Sequence, residues 1–179
     1  MRFQRVADAA VVILAVAALG SLWDRWGRSR AAPLVSTIAV PVDSLVSRVR
    51  VRTVDTSLAI GGSTGRHTLV FVFRSDCPAC ALQRPRWLAL AAEPTARRAG
   101  VLALTAENLG SPAVSGYLSG VAGVVGAPED SEKAFRALAV SGVPATVLID
   151  SGGKIRFHKV GVMSPTEEQG LLESLRALQ

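Results

Sequence analysis

The chain has 179 residues, 49% of them hydrophobic, with a formal net charge of +6 at pH 7 and two cysteines. That length and apolar content suit one domain able to bury an ordinary core and fold on its own. Its Lys and Arg residues are scattered and only 5% of the chain is aromatic, so the charge reads as a solvated basic surface and not as nucleic-acid binding.

Arg2 and Arg5 precede an apolar stretch from Ala9 to Leu19, after which Asp24, Arg25, Arg28 and Arg30 mark a return to water. From Val6 to Trp23 a helix rising about 1.5 Å per residue would span roughly 27 Å, enough to cross a bilayer with Asp8 at the headgroups. Trp23 and Trp26 would lie at the far interface. Residues 1–28 are therefore expected to form a transmembrane or signal-anchor helix. A cleaved signal peptide competes, because Ala15-Val16-Ala17 has small residues at cleavage spacing, but this triplet lies inside the apolar core. Either reading sends the rest of the chain to export. Basic residues flank both ends of the apolar stretch, so an extracytoplasmic placement of the domain rests mainly on its chemistry. Residues 29–41, mixed in polarity and containing Pro33 and Pro41, read as a linker, and residues 42–179 as the domain.

Within that domain, Ser47 to Val54 and Ser57 to Ile60 are expected to pair as short strands ahead of a glycine-rich turn at Gly61-Gly62-Ser63-Thr64-Gly65. The run Thr68 to Phe73 is continuously apolar and rich in β-branched and aromatic residues, the pattern of a strand buried on both faces. It delivers the chain to Cys77. Pro78 suits a first helical turn, and Ala79 to Ala92 supplies helix formers interrupted by Pro85, which predicts a kinked helix. Val101 to Leu104 reads as a second core strand, and the glycine-rich stretch from Gly110 to Gly126 carries no assignable period. A helix is predicted from Glu129 to Val140, burying Phe135 and Leu138, with Glu129, Asp130 and Glu132 as charges favouring its start. Ala145 to Ile149 and Lys154 to Val160 flank the turn sequence Asp150-Ser151-Gly152-Gly153 and predict a hairpin. Ser164-Pro165-Thr166-Glu167 is a capping box opening a helix whose buried stripe is Leu171, Leu172, Leu175 and Leu178. This order of strands and helices predicts an α/β fold, a central mixed β-sheet with helices on both faces.

Both cysteines sit in Cys77-Pro78-Ala79-Cys80. Three residues apart at a helix start, they share one face and can close a small disulfide. The first meets unpaired N–H groups and the positive end of the helix dipole, which favour a thiolate and bring a cysteine pKa from about 8.5 into a range of roughly 3.5 to 7.5. Cys77 is thus the expected attacking sulfur and Cys80 the resolving one. A purely structural crosslink gains little from so small a loop. A zinc site would need two further ligands, and the chain has no second Cys-x-x-Cys and no His-x-x-x-His.

The strand Thr68 to Phe73, the Cys77 to Cys80 motif, Pro85, and Ser141-Gly142-Val143-Pro144-Ala145-Thr146-Val147-Leu148-Ile149-Asp150 together resemble the thioredoxin superfamily. Within it the chain looks like membrane-anchored thiol-disulfide oxidoreductases of the TlpA/ResA type, over roughly Thr68 to Gln179. The resemblance implies a thioredoxin-like fold and assigns Val143-Pro144 to the family's cis-proline, beside the sulfurs, where the Val143 backbone pairs with an extended segment of the substrate. It further implies a redox-active Cys77-Cys80 disulfide with no metal or other cofactor. Cysteine-containing exported proteins would be the substrates, a separate thiol donor would restore the dithiol, and the task would be a specialised reductase, as in cytochrome maturation. Three positions depart from the family. Phe71 stands where thioredoxins carry a buried acid. Gln83 replaces a glutamate common three residues after the second cysteine. Asp76 replaces the usual tryptophan, opposing a neighbouring thiolate that Arg74 and Arg84 would favour.

The alternative from another class is a copper-binding metallochaperone, with Cys77, Cys80 and His67 or His158 holding a soft metal, His158 being expected on the solvent side of its strand. A peroxidase would ask for Thr three residues before the reactive cysteine, where Arg74 stands. Trp87 reads as a helix-packing residue.

Overall fold

The computed structural model of the chain describes residues 42–117 and 123–178. The anchor read over residues 1–28 and the linker over 29–41 lie outside the described residues, as does part of the stretch from Gly110 to Gly126. Among the described residues no helix is long and apolar enough to cross a membrane.

The elements run β1 (Val49–Thr53), β2 (Ser57–Ile60), β3 (Thr68–Val72), α1 (Pro78–Ala92), α2 (Pro94–Ala99), β4 (Val101–Leu104), α3 (Pro112–Tyr117), β5 (Val124–Pro128), α4 (Ser131–Ala137), β6 (Ala145–Ile149), β7 (Ile155–Val160) and α5 (Pro165–Ala177). The strands form one sheet in the order β2-β1-β5-β4-β3-β6-β7. Strands β3, β4 and β5 are parallel neighbours, while β6 and β7 extend one side antiparallel and β1 and β2 the other. The mixed sheet expected from the sequence is therefore present.

Strand β3 explains why the sheet is covered on both faces. Its alternate residues point opposite ways. Leu69 and Phe71, continued by Phe73, join a core with Trp87 and Leu90 of α1, Ala96 of α2 and Leu171 and Leu175 of α5. Val70 and Val72 join a second core with Val51, Ile60, Ala134 and Leu138, where α4 covers the sheet. Each such fully buried aliphatic or aromatic side chain contributes about 1.5 to 3 kcal/mol through area removed from water.

Local chemistry sets the helix ends. Cys77 caps α1 in an extended conformation with Pro78 in the first turn. Pro85 lies inside α1 on its exposed side, where the missing N–H leaves the Ala81 carbonyl near water. The helix stops at Glu93, which the following Pro94 biases to an extended ψ of 134°. Helix α4 is shorter than the expected Glu129 to Val140 because Asp130 caps it, its side chain accepting from the Lys133 N–H, and because Ala139 turns to a φ of 53°. Leu138 is buried as expected, and Phe135 is only partly covered. The capping box of α5 forms, with Ser164 and Glu167 each accepting from the other's backbone N–H, while Leu172 and Leu178 are half-buried at the edge of its stripe. Helices α2 and α3 and strand β5 have no counterpart in the periodicity reading; each is 5 or 6 residues long, too short to show one.

At the end of the sheet remote from Cys77, the β6–β7 turn packs against the Gly61 to Gly65 turn. Gly153, at φ 87°, lies so close to the Gly62 carbonyl that a β-carbon would stand 2.5 Å from its oxygen. Only glycine fits both that conformation and that approach.

Candidate active site

Cys77 stands where β3 delivers the chain to α1. Phe73 is still tied to the sheet, its N–H donating to the Leu104 carbonyl at 3.0 Å, and residues 74–76 then turn, with the Cys77 N–H 3.4 Å from the Arg74 carbonyl. As the cap of α1, the Cys77 sulfur accepts from the Cys80 N–H at 3.3 Å. One of the helix's unpaired donors thus already faces the sulfur that must carry charge. The thiol is also 3.8 Å from the Val143 carbonyl, to which it can donate.

Cys77 is half-buried and Cys80 fully buried, both with free thiols. Burial above all pushes the Cys80 thiol up to about 12, and its hydrogen bond with Cys77 adds to this, while a backbone hydrogen bond from Arg74 and the Arg74 charge act the other way. Accessibility separates the two sulfurs: the outer one is reachable, while the inner one is buried and holds its proton.

The peptide between Val143 and Pro144 is cis, and Pro144 is buried directly before β6. The Val143 carbonyl, 3.8 Å from the Cys77 sulfur, sets this dipeptide beside the dithiol. Pro78 is exposed and Ala79 half-buried in the first turn of α1. Gln83 is fully buried, its Oε1 accepting from the Met163 N–H at 2.8 Å, which ties α1 to the segment ahead of α5.

Charges near the site are already engaged. Arg74 and Asp76 pair with each other at 2.7 Å, so their fields at Cys77 offset. Arg84 is engaged with Tyr117, donating through Nε to its carbonyl, with the guanidinium 5.8 Å from the Tyr117 ring centre.

Several contributors were not visible in the sequence. Glu107 accepts from the N–H and hydroxyl of Ser75, both at 2.6 Å, and from the Thr105 hydroxyl at 3.1 Å. It thus clamps the turn just before Cys77 from the loop after β4. The available signal was position: side chains just past the carboxyl ends of parallel strands gather at one edge of an α/β sheet. Partial burial pushes the Glu107 carboxyl up, but the hydrogen bonds from Ser75 and Thr105 outweigh it and the net displacement is downward. A group held down in the folded state stabilises above its unfolded pKa near 4.3 and loses that contribution as pH falls through the folded value. Glu107→Gln is therefore expected to cost about 1 kcal/mol at pH 7, and urea titrations should show variant and parent converging towards pH 3.

Both histidines are committed elsewhere. His67 Nδ1 accepts from the Ser151 N–H at 3.0 Å, and His67 to Phe73 spans roughly 20 Å along the strand direction at about 3.3 Å per residue. His158 is half-buried, not on the solvent side, with Nε2 3.1 Å from the Ala139 carbonyl. Among the described residues no three His, Cys, Asp or Glu side chains gather as a metal group. Trp87 is a packing residue as expected, fully buried and stacked on Phe71.

The fold recurs in solved structures. A protein from Chlorobium tepidum classed as a thiol:disulfide interchange protein, DsbE, is 21% identical with a TM-score of 0.61, covering 76% of this chain and 99% of its own. StoA from Bacillus subtilis is 15% identical at a TM-score of 0.55, covering 73% and 97%. A peroxiredoxin-like protein from Aquifex aeolicus, 16% identical at 0.58 and covering 78% and 88%, shares the fold too, so fold alone does not select the chemistry. No curated protein matches the sequence significantly. The sequence profile of the thioredoxin-like domain, however, matches residues 54–176, well over half of the chain, and with the sheet and the dithiol already pointing there, this chain belongs to the thioredoxin-like family.

Proposed function

We propose that the chain is a thiol-disulfide oxidoreductase that reduces disulfides of exported, cysteine-containing proteins while tethered to the cell membrane by residues 1–28. The observation that carries the reading is the unequal pair: a reachable Cys77 sulfur facing a helix N–H at 3.3 Å, and a buried Cys80 three residues on. In the forward direction the Cys77 thiolate attacks one sulfur of a partner disulfide, the partner's S–S bond breaks, and its second sulfur leaves as a thiolate that takes a proton from water. Cys80, after losing its proton to solvent, attacks Cys77 in the mixed disulfide, releasing the remaining partner sulfur. The partner gains two electrons and Cys77-Cys80 becomes a disulfide. The Val143 backbone, beside the Cys77 sulfur, would hold an extended partner segment in line. The two sulfurs themselves carry the electrons, so no metal or organic cofactor enters. A separate thiol donor on the extracytoplasmic side would restore the dithiol. The likeness to the TlpA/ResA type favours the reductase direction and a role in cytochrome maturation.

The testing experiment is a redox equilibration of the full chain in glutathione buffers, with thiols alkylated and counted by mass. A potential near or below roughly −250 mV supports a reductase, whereas one near roughly −120 mV makes the protein an oxidant of exported proteins. A dithiol that never cycles and instead retains added Cu(I) through the series would replace this reading with the metallochaperone.

A further inference from the structure

Resolution of a mixed disulfide poses a chemical problem. Cys80 is fully buried and holds its proton strongly, yet it must become a thiolate to attack. Phe71 and Phe73 line the strand beneath it, and both nearby carboxylates are engaged, Asp76 with Arg74 and Glu107 with three hydrogen bonds from Ser75 and Thr105. Beyond the Arg74 backbone and charge, which favour a thiolate there, a buried donor beside Cys80 would stabilise its charge further.

Two buried side-chain polar atoms have no partner among the described residues, and both belong to residues at the dithiol: Nε2 of Gln83 and the hydroxyl of Tyr117. A buried unpaired polar group costs about 1 to 3 kcal/mol, so its persistence asks for a reason. Gln83 follows Cys80 by one helical turn, and its amide is anchored by the Met163 N–H. Tyr117 is held from two sides. Its ring stacks on Phe73, the residue leading into the active-site turn, at 4.8 Å between centres with planes 6° apart. Its other side meets Arg84, one turn beyond Cys80 on α1, through both ring and carbonyl. The ring thus lies between the end of β3 and the first turns of α1, packed on the core that contains Cys80.

We propose that the Tyr117 hydroxyl is a positioning residue for resolution, donating a hydrogen bond to the Cys80 sulfur as it becomes a thiolate and keeping its own proton throughout. This rests on the oxidoreductase reading above. The ionisable groups that bear on Tyr117 are Cys80, Cys77 and Arg84; those that bear on Cys80 are Cys77 and Arg74, the latter paired with Asp76. Burial first, then the two cysteines, push the Tyr117 phenol up, so it remains a donor at neutral pH. In the step itself, Cys80 gives its proton to solvent, its sulfur bonds to Cys77, and the Cys77–partner bond breaks with the electron pair leaving on the partner sulfur.

Tyr117 is the only tyrosine in the chain, which makes the test clean. Reduced full chain is mixed with oxidised glutathione, separating a second-order phase, attack by Cys77, from a concentration-independent phase, attack by Cys80. Tyr117→Phe keeps the ring and removes the donor. It is expected to slow the second phase roughly tenfold or more at pH 7 and move its pH profile to higher pH, with the first phase within about twofold. Both phases unchanged, or both slowed alike, would overturn the proposal. Should the variant fail to fold, 3-fluorotyrosine incorporated throughout labels this one site with a more acidic donor. The pH profile should then move to lower pH and the fluorine resonance should differ between oxidised and reduced chain; an unmoved profile overturns the proposal. Failure of the unmodified chain to cycle at all would instead refute the oxidoreductase reading, so the two failures are distinguishable.

Discussion

Cys77→Ser should abolish disulfide exchange, lowering the rate of insulin or glutathione disulfide reduction by about 10⁴-fold or more, because a hydroxyl at neutral pH offers essentially no anionic nucleophile. Serine is itself a good helix cap, so α1 should start as before and the melting temperature should change little. The companion change separates roles. Cys80→Ser leaves the reachable sulfur facing its helix N–H but removes the buried attacker, so the first half-reaction survives and the second does not. Mixed disulfides with partner proteins should accumulate and be visible on non-reducing gels, and disappear in the double variant. Retention of full turnover by Cys77→Ser, or trapping through Cys80 instead of Cys77, would reverse the assignment of attacker and resolver.

Trp87→Ala should cost about 3 to 5 kcal/mol, the range for truncating a buried large aromatic, which for a domain of this size lowers the melting temperature by roughly 10 °C. Trp87 is fully buried, stacks on Phe71 at 5.1 Å between ring centres, and donates from its indole nitrogen to the Thr146 hydroxyl at 2.9 Å. It therefore joins α1, which carries both cysteines, to β3 and to β6, whose first residue follows Pro144. Trp87→Phe isolates one part of this. Phenylalanine keeps most of the stacking but leaves the buried Thr146 hydroxyl without its donor, for an expected loss of about 1 to 3 kcal/mol. Circular dichroism melts of the two variants should rank them in that order. Equal losses would mean that the hydrogen bond to Thr146, not the packing, holds the helix on the sheet.

How much of this was legible beforehand differs by element, for physical reasons. Strands β2, β4 and β6 could be bounded to the residue because a short apolar run between turn residues is read directly from side-chain type. The cap of α1 and the capping box of α5 were equally plain, since each depends on residues three apart along the chain. Helices α2 and α3 and strand β5 span so few residues that no hydrophobic period can develop, and packing onto a formed sheet decides them instead. His158 was misplaced because burial of an outer strand depends on what turns towards it, here the Ala139 carbonyl after α4.

Taken alone, the sequence determined the pair of cysteines and the helix start that carries them, because cap, proline and both sulfurs lie within four consecutive residues. The resemblance added the pairing with Val143-Pro144, which lies 66 residues from Cys77. Only the tertiary structure decided what surrounds the sulfurs: Glu107 clamping Ser75 from 32 residues away, Met163 holding the amide of Gln83 across 80 residues, and Tyr117 wedged between Phe73 and Arg84. The reason is that a cap or a turn is specified by neighbours along the chain, whereas the partner of a buried polar atom is chosen by how the strands order in the sheet. Burial of Cys80 and the proton it keeps belong to that second class, and with them the step that completes the exchange.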